Sequence, residues 1–257
     1  MAKKRAITVM AHRGYSAKYP ENTMLAFEKA LEAGADGIEL DVHVTKDGEL
    51  VIIHDESLDR TTDGTGTINT HTLAELKDLN AAANFTGVDY AGIPTLSEYL
   101  MWAKDKNIYT NIELKNNKTY YGGLEELAAG MVKRFGLTKK VIFSSFNHVS
   151  LSRLKKLLPE VPMGILCKKP LVNVGEYVKA CGVDYLHPES TYMVERVIKN
   201  CRKHEVPINV WEVNNEEAMM RMLELGVDGL ITDEPELAKK TVMKYLAPAD
   251  MIGGPEL

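Results

Sequence analysis

The chain has 257 residues, 45% of them hydrophobic and 26% charged, enough apolar material for one large core or two smaller ones. Its formal net charge is −5 and its 31 basic residues are scattered, so no basic stripe of the sort that nucleic acid or an anionic membrane demands is present. No apolar run reaches spanning length, and the stretch after the basic start MAKKR is too short for a signal-peptide core.

The first strand is predicted at 6–12 (AITVMAH), running into His12-Arg13-Gly14. A helix at 23–33 follows, capped by Asn22 or Thr23 and stopped by Gly34. The second strand, 37–45 (GIELDVHVT), leads to Asp47-Gly48, which reads as a two-residue hairpin turn flanked by Lys46 and Glu49. That pairing sets Asp41 opposite His54, Val42 opposite Ile53 and His43 opposite Ile52. Residues 55–93 are polar and rich in Gly and Thr, with one short helix at 72–79; they read as an insertion after strand 2.

From there helices at 95–106, 119–135, 147–158, 173–181, 191–204, 215–225 and 235–246 alternate with strands at 108–115, 141–146, 162–167, 184–189, 207–213 and 229–233. Eight strands each followed by a helix predict a (β/α)8 TIM barrel formed by 1–257 as a single domain. The turns AGADGIEL, CGVDYLHP and LGVDGLIT repeat one helix-to-strand connection. The tail 247–257 has no periodicity and is expected to be loosely held. Cys167, Cys181 and Cys201 are odd in number and lack metal spacing, as expected of reduced core thiols in a soluble, cytoplasmic protein.

The site is read from strand ends. Glu39 and Asp41 share one face by the period of two, and Glu113 and Lys115 repeat the arrangement on the neighbouring strand. Carboxylates set side by side repel unless a cation joins them, so Glu39, Asp41 and Glu113 are candidate oxygen ligands for Mg²⁺ or Ca²⁺ at the C-terminal mouth. His12, Arg13, His54 and Lys115 stand at the same rim. Phe146, Glu189 and Trp211, at the ends of later strands, are candidate substrate contacts, with Glu189 alternatively a fourth oxygen ligand. Glu21 and Asn22 are expected to brace the His12 loop. His43 is left out of catalysis, and His71, His148, His187 and His204 have no supporting cluster.

The chain resembles the glycerophosphodiester phosphodiesterases over nearly its whole length. The resemblance rests on AHRGYSAKYPENT, ELDVHVTKDGELVIIHD, IPTLSEYL, NIELK, SSF, VWEVN and GVDGLITDEP. It implies a barrel with an insertion after strand 2, a divalent metal, and hydrolysis of small-molecule glycerophosphodiesters to glycerol 3-phosphate and an alcohol. Carried over, it makes His12 and His54 the acid–base pair, Glu39, Asp41 and Glu113 the metal ligands, and Arg13 and Lys115 the phosphate contacts. His12 is preferred as base and His54 as acid. Water or the glycerol 2-hydroxyl stays open as nucleophile. A lyase releasing a cyclic phosphate and a non-catalytic binding barrel are the alternatives. Glu212 departs from the family pattern and is expected to turn away from Trp211 and the site. Low similarity in 147–205 leaves the leaving-group side and head-group preference undetermined. No nucleic acid and no stable membrane insertion are expected, and a homodimer through an outer helix is entertained.

Overall fold

The computed structural model describes residues 6–247, so the basic start at 1–5 and all but the first residue of the tail at 247–257 fall outside it. Nine strands form the sheet: β1 (Thr8–His12), β2 (Gly37–Val44), β3 (Leu50–Ile52), β4 (Tyr109–Leu114), β5 (Val141–Ser145), β6 (Met163–Cys167), β7 (Tyr185–Pro188), β8 (Asn209–Val210) and β9 (Gly229–Thr232). Eight of them run parallel in the order β7-β6-β5-β4-β2-β1-β9-β8, while β3 pairs only with β2. Bridges Leu186↔Ile208 and Glu189↔Trp211 join β7 to β8 and bring the two ends of that order together, giving a nearly closed (β/α)8 barrel.

Alternation along the strands separates two environments. Val9, Ala11, Ile38, Leu40, Val42, Ile112, Leu114 and Phe143 face the helix layer and are fully buried there. Met10, Ile142 and Ile231 form a small separate cluster inside the barrel, with Tyr185 and Trp211 against it. The helices are α1 (Met24–Glu32), α2 (Leu73–Lys77), α3 (Leu96–Ala103), α4 (Leu124–Arg134), α5 (His148–Leu157), α6 (Val174–Ala180), α7 (Glu195–Lys203), α8 (Glu216–Leu225) and α9 (Pro235–Leu246). Thr23, not Asn22, caps α1 by accepting from Ala26 N. Helix α4 begins later than its periodicity suggests because Gly123, at φ 87°, occupies the cap.

The repeated turn has one physical purpose. Asp36, Asp184 and Asp228 each accept from a backbone N–H at the start of a neighbouring strand segment, at Val9, Met163 and Ile208, at 2.8–2.9 Å. Each also pairs with a cation from a helix: Lys239, Lys155 and Arg202. The carboxylates thus satisfy amides at the N-terminal rim that no strand neighbour reaches.

The hairpin register differs from the expectation by one residue. Thr45 N–H donates to the Glu49 carbonyl at 2.9 Å and Gly48 N–H to the Thr45 carbonyl at 3.1 Å, so the loop is the three residues 46–48, with Gly48 at φ 87°. This is a three-residue hairpin loop closed by a left-handed glycine. Val42 therefore opposes Ile52 and His43 opposes Val51, and Asp41 does not oppose His54. A continued ladder would have set His54 beside Leu40, facing the helices. Instead the chain leaves the sheet after Ile53, whose N–H donates to the Asp41 carbonyl, and His43 Nε2 holds the His54 carbonyl at 3.1 Å. That departure, rather than strand pairing, returns His54 to the mouth. Residues 55–93 then pack their own cluster, with Leu58, Ile68, Leu76 and Ile93 against Val51 and Ile53.

Candidate active site

Three buried carboxylates converge inside the top of the barrel. The parallel register sets Asp41 beside Glu113 and His12 beside Glu39, and oxygen atoms of Glu39, Asp41 and Glu113 lie within 4.8 Å of one another. Lys115 Nζ bridges Asp41 (3.3 Å) and Glu113 (2.8 Å), Arg13 Nε stands 3.5 Å from Asp41, and Asn22 Nδ2 donates to Asp41 at 2.8 Å. Burial opposes ionisation of Asp41, yet Lys115 and Arg13 outweigh it and hold the carboxyl well below the usual range. Glu39 accepts from the Arg13 backbone N–H at 3.1 Å and stands 4.0 Å from His12, but burial and the charge of Asp41 outweigh these and push it up to about 8. Burial likewise raises Glu113, against the pull of Lys115. A cluster of oxygens in which one carboxyl is driven to keep its proton lacks a positive charge, and a hard divalent cation fits that donor set.

Each imidazole is held by a carboxylate. His12 Nδ1 donates to Asp233 Oδ1 at 2.7 Å, leaving Nε2 on the Glu39 side at 4.0 Å. His54 Nδ1 donates to Asp55 Oδ1 at 2.7 Å. The two dyads fix tautomer and ring orientation alike, with Nε2 as the free nitrogen. Their charge states differ. Burial lowers His12, but the hydrogen bond to Asp233, the largest of the opposing influences, leaves it raised from 6.5. Burial dominates at His54 and lowers it below 6.5, despite Asp41 and Asp55.

Asp55 is tied onward to Arg60, which forks onto Glu21 at 2.8 and 2.7 Å; Glu21 also accepts from Arg13 Nη1 at 3.0 Å. The insertion and the PENT loop are thus clamped around the two site cations. Glu21 and Asn22 brace the site as expected, Asn22 adopting φ 56° to reach Asp41. His43 is buried against the Tyr121 hydroxyl at 2.9 Å, and burial lowers it to about 4.

A cavity of about 620 Å³ opens above these groups. His12, Arg13, Glu39, His54, Glu113, Lys115, Phe146 and Trp211 all line it, with Phe146 and Trp211 edge to face at 5.7 Å. Glu189 does not: its carboxylate accepts from Thr191 Oγ1, outside the cavity wall. Glu212 lines the cavity beside Trp211, contrary to expectation, because it lies past the last bridge of this edge, Glu189↔Trp211, where strand alternation no longer governs. Glu212, His12 and Asp233 form a second acidic group, but His12 and Asp233 already bond to each other and Asp233 also accepts from Ser16 and Asn214.

Asp233 and Asp55 are not marked by any motif spacing in the sequence. The signal for Asp233 was its place at the end of the strand that pairs with β1, one residue past the Ala11↔Thr232 register pair. Changing Asp233 to Asn should lower turnover by about 10²- to 10⁴-fold, because an amide can hold His12 in the wrong tautomer. Steady-state kinetics on a variant with wild-type thermal stability checks this, and unchanged turnover would remove the dyad from the reaction.

A parallel barrel with two carboxylate-anchored imidazoles, a carboxylate triad and two cations at its C-terminal mouth has the make-up of an enzyme site for a small anion. Comparison with known proteins narrows the class. The glycerophosphoryl diester phosphodiesterase family model matches residues 12–237. A glycerophosphodiester phosphodiesterase of Caldanaerobacter subterraneus subsp. tengcongensis is 44% identical over 238 residues, 92% of this chain and 98% of the relative. A Thermotoga maritima glycerophosphodiester phosphodiesterase structure is 34% identical with TM-score 0.75, over 93% of this chain and 99% of that one. An Oleispira antarctica phosphodiesterase in complex with the product sn-glycerol-3-phosphate is 28% identical with TM-score 0.81, over 93% and 97%. The chain belongs to the glycerophosphoryl diester phosphodiesterase family.

Proposed function

We propose that this protein hydrolyses glycerophosphodiesters to sn-glycerol 3-phosphate and an alcohol. The observation that carries the reading is the pair of carboxylate-anchored imidazoles set at the same mouth as the Glu39, Asp41 and Glu113 triad. Glu39, Asp41 and Glu113 would hold Mg²⁺ or Ca²⁺, which when bound stabilises charge on the phosphate oxygens. Arg13 and Lys115, already at the triad, bind the non-bridging oxygens. Three free cysteines, with no disulfide, suit a cytoplasmic setting.

The opposed shifts of the two imidazoles favour roles the reverse of the sequence preference. Neutral His54 takes a proton from the attacking water at Nε2 as the new P–O bond forms. Protonated His12 gives its Nε2 proton to the departing alkoxide as the old P–O bond breaks. Such a hydrolysis asks for about 20 kcal/mol of barrier lowering. One acid or base supplies about 3–5 kcal/mol, so the remainder falls to charge stabilisation.

A coupled glycerol 3-phosphate assay with glycerophosphocholine, with and without EDTA, tests the reading. Cation-dependent release is expected; a stable cyclic phosphate without glycerol 3-phosphate, seen by phosphorus NMR, would overturn hydrolysis. The raised Glu39 yields a separate result. At pH 7 its carboxyl, pushed up to about 8, carries a proton that cation binding must displace, so about one proton should be released per ion bound. Calorimetry in buffers of different ionisation enthalpy measures it, and affinity should rise with pH up to about 8.

A further inference from the structure

On the cavity floor, β4 turns Asn111 inward, level with Glu39 and one inward position below Glu113. The residue is 1% exposed, and neither Oδ1 nor Nδ2 of its amide has a hydrogen-bond partner. Other buried amides in the barrel are engaged: Asn22 donates to Asp41, Asn116 to Ser150 Oγ and Asn209 to His187 Nε2. An unpaired interior amide lowers stability, whereas an apolar side chain of similar volume would not. An unpaired amide at the bottom of a ligand cavity points to a partner that arrives with the ligand.

The two open atoms define that partner. A cation would satisfy Oδ1 alone, and a phosphate or carboxylate oxygen would satisfy Nδ2 alone. A hydroxyl both accepts and donates, and so meets both. We propose that Asn111 is a specificity-determining residue that reads a free hydroxyl on the glycerol moiety of the substrate. The inference rests on the phosphodiesterase reading above and adds to it a means of rejecting simple alkyl esters. A substrate lacking the hydroxyl leaves the amide unpaired, and a site built around a hydroxyl discriminates strongly against such analogues.

The test is calorimetric titration of wild type, N111L and N111A with sn-glycerol 3-phosphate and with n-propyl phosphate in Mg²⁺ buffer, beside thermal unfolding and glycerophosphocholine turnover. Wild type should bind glycerol 3-phosphate at least about tenfold more tightly than propyl phosphate. Both variants should lose that preference while binding propyl phosphate as wild type does. N111L should unfold at or above the wild-type temperature, since it gives up no protein hydrogen bond. A preference that survives in both variants, or a large drop in the unfolding temperature of N111L, would overturn the role. Wild type that turns over glycerophosphocholine but shows no preference would also defeat Asn111 alone. Wild type that neither turns over glycerophosphocholine nor binds glycerol 3-phosphate would defeat the underlying reading.

Discussion

Replacing His54 with Ala is expected to lower turnover of glycerophosphocholine by at least about 10²-fold, and replacing His12 should do the same, with substrate affinity changed little. The two losses should differ in their pH signature. His54 must be neutral to accept a proton, and its pKa lies below 6.5, so it sets the acid limb of kcat/KM. His12 must be protonated to donate, and its pKa lies above 6.5, so it sets the alkaline limb. Activity should therefore peak between the two. Residual turnover in H54A should lose the acid limb, and residual turnover in H12A the alkaline one. Near-normal turnover in both variants would refute the pairing.

Asp41 and Glu39 should respond oppositely when neutralised, although both carry carboxylates in one triad. Asp41 is 1% exposed and ionised against Arg13 and Lys115, so Asp41→Asn leaves two largely buried cations short of a partner. A loss of about 3 kcal/mol is expected. Its contribution is present above the unfolded value of 3.8 and disappears as pH falls through the lowered folded value. Glu39 has its folded pKa raised from 4.5 to about 8, so the ion-free fold loses stability as pH rises between these values. Glu39→Gln removes that loss and should stabilise the ion-free protein at pH 7 by roughly 1–3 kcal/mol. Urea unfolding in EDTA measures both, and both variants should bind the cation poorly. Equal destabilisation would show that the two carboxylates share one charge state.

The barrel was legible because its strands and helices carry strong, different periods and because strand ends in a barrel converge at one mouth. The triad followed from the period of two on β2 and β4 alone. The hairpin register was not legible, since Asp47-Gly48 suits both a two-residue turn and the last two positions of a three-residue loop; only the pairing of Thr45 with Glu49 separates them. Glu189 and Glu212 were misplaced for a related reason. Both lie just past β7 and β8, where the single bridge Glu189↔Trp211 ends the ladder and loop geometry then aims the side chains. The orienting role of Asp233 depends on β9 closing against β1, a contact between residues 221 positions apart that no local pattern encodes.

Anomalous diffraction from crystals soaked in Mn²⁺ would locate the cation that the three carboxylates are proposed to hold. One strong peak is expected, enclosed by the carboxylates of Glu39, Asp41 and Glu113, with Lys115 displaced from its bridge between Asp41 and Glu113. A peak at the His12, Glu212 and Asp233 group instead, or no peak in an enzyme that stays fully active in EDTA, would contradict it.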